Sequence, residues 1–194
     1  MSKKLSFRYG AMNSAKSAHL LLIEHNYKSL GAVVLLLTAQ LDNRFGDGLI
    51  ASRLGISSPA EMFTSDTDMF DVVRRYRESV TDEELGAILV DEAQFLTKQQ
   101  AKDLHRAVHK FNVPVVAFGL RSDFMGEPFE GSAMLLALAE DIQELKNVCS
   151  CKSKATMNMR VDAVGNRVRE GPQVLIGDGT YRQVCGRCFY SDAD

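Results

Sequence analysis

Three clusters of residues have the types and spacing that chemistry needs. The first is Gly10-Ala11-Met12-Asn13-Ser14-Ala15-Lys16-Ser17, which follows a short apolar segment and opens a helical pattern. It fits G-x-x-x-x-G-K-[ST] with Ala15 at the place of the second Gly. A tight loop of this kind turns its backbone N–H groups inward, and the helix N-terminus behind it adds partial positive charge. The loop is therefore expected to cradle the phosphates of ATP, with Lys16 reaching the β- and γ-phosphates and Ser17 ligating Mg²⁺. Ala15 puts a methyl group where the backbone passes close to phosphate.

The second cluster is the apolar run Ile88-Leu89-Val90 followed by Asp91 and Glu92. An Asp at the end of a buried strand next to a phosphate loop can hold Mg²⁺. The adjacent Glu92 points elsewhere and can take a proton from an attacking hydroxyl. The alternative reading of the pair, as solvated caps of the following turn, loses ground because a phosphate loop precedes it. The third cluster is Cys149-Ser150-Cys151 and Cys185-Gly186-Arg187-Cys188. All four Cys of the chain lie there. Four thiolates at this spacing can close a tetrahedral structural zinc site, although the C-x-C pair is one residue tighter than usual. No thioredoxin-like pattern surrounds C-x-x-C, so a redox role is disfavoured.

These residues need elements to position them. Residues 5–9, 33–37, 87–90 and 113–118 read as strands, and the last three are unbroken apolar runs. Residues 16–30 read as a helix with Leu20, Ile23, Tyr27 and Leu30 on one face, and residues 98–110 as a helix with the stripe Ala101, Leu104, Val108 and Phe111. Alternating strands and helices predict a parallel sheet covered by helices. Residues 41–67 are rich in Gly, Ser and Asp and read as a long loop, of a length that is usually functional or disordered. Polar composition begins near Lys146, which sets an expected boundary between residues 1–145, an α/β ATP-binding domain, and residues 146–194, a small zinc-binding domain. Within the latter, residues 156–161 and 174–176 read as two short strands of a zinc ribbon.

Bulk properties narrow the class. The net charge is −2, with 45% hydrophobic residues. This excludes a strongly basic nucleic-acid binder and predicts a soluble globular chain. No segment is long and apolar enough to span a bilayer, and residues 1–4 lead into a strand and not a signal-peptide core, so a cytoplasmic location is expected. His105 and His109 lie four apart on a helix, a spacing that can bind metal. In a Lys- and Arg-bearing surface they are expected to be solvated helix residues.

Together these pieces resemble the thymidine kinases of the cytosolic, zinc-containing type, with the bacterial branch most similar. The resemblance spans nearly the whole chain. It rests on the phosphate loop with its Met-Asn, on Asp42-Asn43-Arg44-Phe45-Gly46, on Ser52-Arg53-Leu54-Gly55 with Ser57-Ser58-Pro59, and on Val90 to Phe95. It continues through Gly119-Leu120-Arg121-Ser122-Asp123-Phe124, Pro128-Phe129, Ile176-Gly177, Tyr181 and the Cys pairs. It implies a P-loop NTPase (RecA-like) core with a zinc-ribbon lasso that closes over the nucleoside. It implies that Glu92 is the general base for the thymidine 5′-hydroxyl. The phosphate loop, Asp91, Ala93 and Gln94 would line the Mg-ATP site, and Arg44 would help neutralise the phosphates. Phe124 would stack on thymine, with Met12 and Leu120 lining the pocket. Val174, Leu175, Ile176 and Gly177 would hydrogen-bond the base through their backbone, and Tyr181 would close over the nucleoside. A homotetramer inhibited by thymidine triphosphate would follow, as would phosphorylation of deoxyuridine.

Two other functions fit parts of the pattern. A P-loop ATPase using its ribbon to bind nucleic acid would need a basic, aromatic-studded surface there, but residues 146–194 carry only Tyr181, Phe189 and Tyr190 as aromatics and a charge of +3. A non-catalytic nucleotide-binding module is suggested by Ala15 alone, against intact Lys16, Ser17, Asp91 and Glu92.

Overall fold

A computed structural model describes residues 3–42, 46–80, 84–175 and 181–191. The chain runs β1 (Leu5–Tyr9), α1 (Lys16–Ser29), β2 (Val33–Ala39), β3 (Leu49–Ala51), β4 (Ser57–Pro59), β5 (Glu61–Phe63), α2 (Met69–Ser79) and β6 (Leu85–Val90). After a 3-10 turn (Ala93–Phe95) come α3 (Lys98–Phe111), β7 (Val115–Gly119), α4 (Glu130–Leu138) and β8 (Asp141–Glu144). The C-terminal part holds β9 (Asn147–Val148), β10 (Lys154–Ala155), β11 (Met157–Val161), β12 (Arg167–Val168), β13 (Tyr181–Val184) and α5 (Gly186–Tyr190).

The main sheet has the order β5-β2-β6-β7-β1-β8, and every pairing in it is parallel. The side chains of its central strands alternate between two apolar cores, as the period of two requires. Leu35, Leu37, Ile88, Val90, Val115 and Ala117 face one side, under α2, α3 and α4. Val34, Leu36, Ala87, Leu89, Val116 and Phe118 face the other, under α1 and Ile50 of β3. Both faces are covered, so the strands read as continuous apolar runs.

The four strands predicted for the main sheet and both predicted helices are present. Val113 and Pro114 precede β7, because Pro lacks the N–H a central strand must donate; the Pro114 carbonyl instead accepts from Ile88 N–H at 2.9 Å. Leu30 does not belong to the buried stripe of α1. It caps the helix end and is 85% exposed, while Leu21 is buried instead. Residues 41–67 are not one loop, since the antiparallel pair β3–β4 and the edge strand β5 lie inside them. Buried Glu24 on α1 accepts from Ser58 Oγ at 2.6 Å and pairs with Lys28, which fastens that hairpin to the helix.

The C-terminal reading needs a larger correction. Val174 and Leu175 form no strand. The partners of β11 are β12 and β13, both antiparallel to it. The sequence 174–176 is apolar and short, but the pairing chemistry lies in the alternating residues of β13 that follow it.

Candidate active site

The phosphate loop joins the end of β1 to the start of α1. A Cβ on Gly10 would sit 2.4 Å from Ser14 Oγ and 2.6 Å from the Leu145 carbonyl, so only Gly permits the turn. Asn13 and Ala15 both adopt left-handed backbone, with φ of 61° and 59°. At Ala15 this costs roughly 1–2 kcal/mol relative to right-handed backbone, a cost Gly avoids. Lys16 is buried and folds back over the loop, with Nζ 3.0 Å from the Ala11 carbonyl and 3.5 Å from Ser14 Oγ.

The loop is pinned from the C-terminal sheets by residues that sequence reasoning missed. Met12 N–H donates to Asn158 Oδ1 at 2.8 Å, and Asn147 Nδ2 donates to the Met12 carbonyl at 2.9 Å. Asn13 Nδ2 donates to Gln183 Oε1 at 3.1 Å. Asn158 is buried on β11, and its amide also donates to the Ser122 carbonyl at 3.2 Å. A lone Asn in a polar strand carries no motif, so nothing in the sequence marked it.

Asp91 and Glu92 stand at the carboxyl end of β6. Asp91 is buried and hydrogen-bonded by Ser17, and burial holds its carboxyl above the usual range. Glu92 follows in left-handed backbone, φ 50° and ψ 38°, and its N–H donates to Asp91 Oδ1 at 3.0 Å. Such strain in a non-Gly residue collects at functional sites. Burial, then the neighbouring Asp91 charge, pushes the Glu92 carboxyl up to about 7. Gln94 fixes its orientation. Gln94 Oε1 accepts from Leu120 N–H at 3.0 Å, which turns the amide nitrogen toward Glu92 Oε2 at 2.5 Å. Gly119 makes room for this bridge, since a Cβ there would lie 2.8 Å from Gln94 Oε1. Ala93 is buried in the 3-10 turn beneath it.

One cavity of about 330 Å³ collects Met12 to Ser17, Glu92, Gln94, Leu120, Phe124, Val174, Leu175 and Tyr181. Gly10, Ala11, Asp91 and Ala93 do not line it. Asp42, Arg53 and Asp123, which belong to the resemblance motifs but were given no role, also line it, as do Asn158 and Gln173, which sequence reasoning missed. Arg44, Ile176 and Gly177 lie outside the described residues.

At the far end of the cavity, Phe124 is buried, and the guanidinium of Arg160 sits 3.7 Å from its ring centroid. Arg160 is itself buried and donates to Tyr181 Oη at 2.6 Å and to the Gln173 carbonyl at 3.3 Å. Gln173 Nε2 in turn donates to Asp123 Oδ2 at 3.0 Å, while Asp123 Oδ1 accepts from the N–H groups of Met125 and Glu127. This chain of bonds ties Gln173 and Tyr181 to the Phe124 turn.

The four cysteine sulfurs all lie within 4.8 Å of one another, and Cys151 Sγ is 3.5 Å from Cys185 Sγ. Zn–S bonds of ~2.3 Å put tetrahedral sulfurs ~3.8 Å apart, so the donor set fits zinc. The tight C-x-C pair is accommodated by Lys152, whose left-handed backbone (φ 69°) lets its N–H bond the Cys149 carbonyl at 2.8 Å. Contacts with Cys151, Cys185 and Cys149 push the Cys188 thiol up to about 12, a crowding that a central cation relieves.

The family model for thymidine kinase matches residues 3–189. The thymidine kinase of Chromobacterium violaceum is 50% identical over 190 residues, covering 97% of this chain and 99% of that protein. That of Albidiferax ferrireducens is 47% identical, covering 98% and 93%. That of Shewanella oneidensis is 43% identical, covering 96% of each. Among solved structures, an ATPase domain superposes with a TM-score of 0.54 at 15% identity over 88% of this chain and 78% of its own, a likeness of fold.

Proposed function

The chain belongs to the thymidine kinase family, and from that premise we infer that it transfers the γ-phosphoryl group of ATP to the 5′-hydroxyl of thymidine, and of deoxyuridine. The observation that carries this reading is the single cavity in which a phosphate loop, the Glu92 carboxylate and the Phe124–Tyr181 end meet.

Phosphoryl transfer needs positioning and charge neutralisation more than covalent chemistry. The phosphate loop, from Gly10 to Ser17, binds the triphosphate through backbone N–H groups, and Lys16 swings from the loop carbonyls to the β- and γ-phosphates. Asp91 and Ser17, a carboxylate and a hydroxyl already hydrogen-bonded, form a donor set suited to Mg²⁺, which supplies charge neutralisation when bound. Arg44 assists the same charge. Glu92 Oε accepts the proton of the 5′-hydroxyl; the freed oxygen attacks the γ-phosphorus, the bond to the β–γ bridging oxygen breaks, and ADP leaves. A carboxyl with a pKa of about 7 is a strong enough base to take this proton and still ionises near neutrality. Phe124 stacks on the base, Met12 and Leu120 flank it, and the backbone of residues 174–177 reads its edge. Tyr181 covers the nucleoside and excludes water, which protects ATP from hydrolysis.

Residues 1–145 form the catalytic body and 146–194 the zinc-held lasso, with Cys149, Cys151, Cys185 and Cys188 as the zinc ligands. We also place the chain in the cytoplasm, as a homotetramer inhibited by thymidine triphosphate. No helix among the described residues is long and apolar enough to cross a membrane. A nucleic-acid-binding ribbon is disfavoured because Phe189 is buried and Tyr181 is engaged with Arg160, which leaves Tyr190 as the exposed ring among the three.

The test is transfer of labelled γ-phosphate from Mg-ATP to thymidine, deoxyuridine, deoxycytidine and deoxyadenosine. Product from thymidine and deoxyuridine alone is expected. Glu92→Gln should lower kcat by about 10²–10⁴-fold with ATP affinity nearly intact. Wild-type kcat in that variant would remove Glu92 from its role.

A further inference from the structure

We propose that His105, His109 and Glu140 form a second metal site, for one divalent transition-metal ion of the zinc type, separate in position and chemistry from the four-cysteine cluster.

Three donor atoms converge there. His105 Nε2 and His109 Nε2 are 3.2 Å apart, and they lie 3.3 Å and 3.0 Å from the same oxygen, Glu140 Oε1. Zinc bonds to imidazole nitrogen and carboxylate oxygen of ~2.0–2.2 Å put neighbouring tetrahedral ligands ~3.3–3.5 Å apart. The observed triangle is within a few tenths of an ångström of that.

Protons satisfy at most two of the three contacts. An ionised carboxylate oxygen accepts only, and each imidazole Nε2 either donates or accepts. If both nitrogens carry hydrogen, both bond Glu140 and the His–His contact sets donor against donor. If one does, its single proton serves either the partner ring or the carboxylate, and the bare nitrogen faces Oε1 acceptor to acceptor. If neither does, all three atoms are acceptors. A cation at the centre satisfies all three lone pairs together.

The fold holds these ligands in place. His105 and His109 are one helical turn apart on α3, the (i, i+4) spacing that puts two rings on one face. Their ring planes are 84° apart, so they meet at their nitrogen ends and do not stack face to face. Glu140 is clamped by Leu5 in both directions. Leu5 N–H donates to Oε2 at 2.7 Å, leaving Oε1 for the metal, and Glu140 N–H donates to the Leu5 carbonyl at 3.0 Å. Outer partners of this kind fix a ligand's orientation before metal arrives. The side chains are 31%, 54% and 32% exposed in the order His105, His109, Glu140, so one side stays open for a water as fourth ligand.

The position indicates the role. Leu5 opens β1 and Glu140 directly precedes β8, so the site lies at the amino ends of the parallel strands. The phosphate loop leaves the other end of β1, roughly 15 Å away at ~3.3 Å per residue. A metal there cannot touch substrate. It would tie α3 to the start of β1 and to the α4–β8 corner, stabilising the α/β core.

The experiment measures zinc per chain by atomic emission in the full-length protein equilibrated against a zinc buffer, for wild type, His109→Ala, the double variant His105→Ala with His109→Ala, and Glu140→Gln. Each variant should hold one equivalent less than wild type, and thymidine phosphorylation by the His variants should be unchanged. In wild type, zinc beyond the first equivalent per chain should raise the thermal midpoint further, and the double variant should lose that further rise. Cobalt added to wild type carrying one zinc per chain should give ligand-field bands without thiolate charge transfer. Equal zinc content in wild type and the double variant would overturn the site, as would binding seen only at millimolar zinc or a cobalt spectrum with thiolate bands. His109 is more than half exposed, so its single variant keeps the test open if the double variant folds poorly.

Discussion

At the scale of single residues, the site depends on a few atoms held in unfavourable places. Glu92 must be ionised to accept a proton, and burial pushes it up to about 7, so kcat/KM for thymidine should fall as the pH drops through about 7. The Gln94 amide stabilises the ionised form. Gln94→Ala should therefore move this acid limb to higher pH and lower kcat/KM at neutral pH by about 10-fold, the effect of losing ~1.4 kcal/mol of charge-assisted hydrogen bond. A fall in rate with no movement of the pH profile would assign Gln94 a packing role instead. Ala15 makes the opposite case, a residue that departs from the motif yet keeps its backbone. Its left-handed conformation already matches what Gly would adopt. Ala15→Gly should relieve the ~1–2 kcal/mol backbone cost and lose part of that gain to the freer unfolded chain, for a net stabilisation of up to ~1 kcal/mol in denaturant unfolding. ATP affinity should stay close to wild type by calorimetry, because the N–H groups that meet phosphate already point inward.

At the scale of elements, the functional parts sit where a parallel sheet must put them, at the carboxyl ends of β1, β6 and β7, and loops from the small sheets close over them. Asn158 is the joint between these two parts, since its one amide holds both Met12 N–H and the Ser122 carbonyl. Asn158→Ala should cost about 1–3 kcal/mol of stability, because it leaves buried partners unpaired. It should raise KM for ATP and thymidine together, measured by calorimetry and steady-state kinetics. An effect on one KM alone would mean that the joint serves only one side of the cavity. The difference in kind between Asn158 and Lys16 explains what was legible in the sequence. The phosphate loop, Asp91-Glu92 and the Cys pairs are local patterns with a mechanism attached, and the apolar runs of β2, β6 and β7 follow from burial on both faces. Asn158, Arg160 and Gln173 act only through partners 13 to 146 residues away. No local periodicity encodes such a pairing. The same limit misassigned Val174 and Leu175 to a strand and left His105 and His109 without Glu140, which arrives from 31 positions beyond the second ring.

At the scale of the whole molecule, the two parts of the chain have very different means of staying folded. The main sheet buries two extensive apolar cores, whereas the C-terminal core consists of Cys149, Ala155, Val184, Cys185 and Phe189 with a few partly buried neighbours. A core of that size cannot offset the conformational entropy of the segment around it, so the zinc proposed for the four cysteines would supply the difference. The small sheets also hold Met12 and Asn13 of the phosphate loop, so their loss reaches the ATP end of the cavity as well as the nucleoside end. Two independent consequences follow from replacing one proposed zinc ligand, as in Cys185→Ser. Hydrogen exchange should become fast across residues 147–191 while the amides of β2, β6 and β7 keep their protection, because the main cores do not depend on the metal. Transfer to thymidine should be lost together with slow exchange at Met12, whose N–H would no longer meet Asn158. If β6 and β7 lost protection at the same time as residues 147–191, the chain would unfold as one cooperative unit, and the zinc would then stabilise the entire enzyme and not only its closing segment.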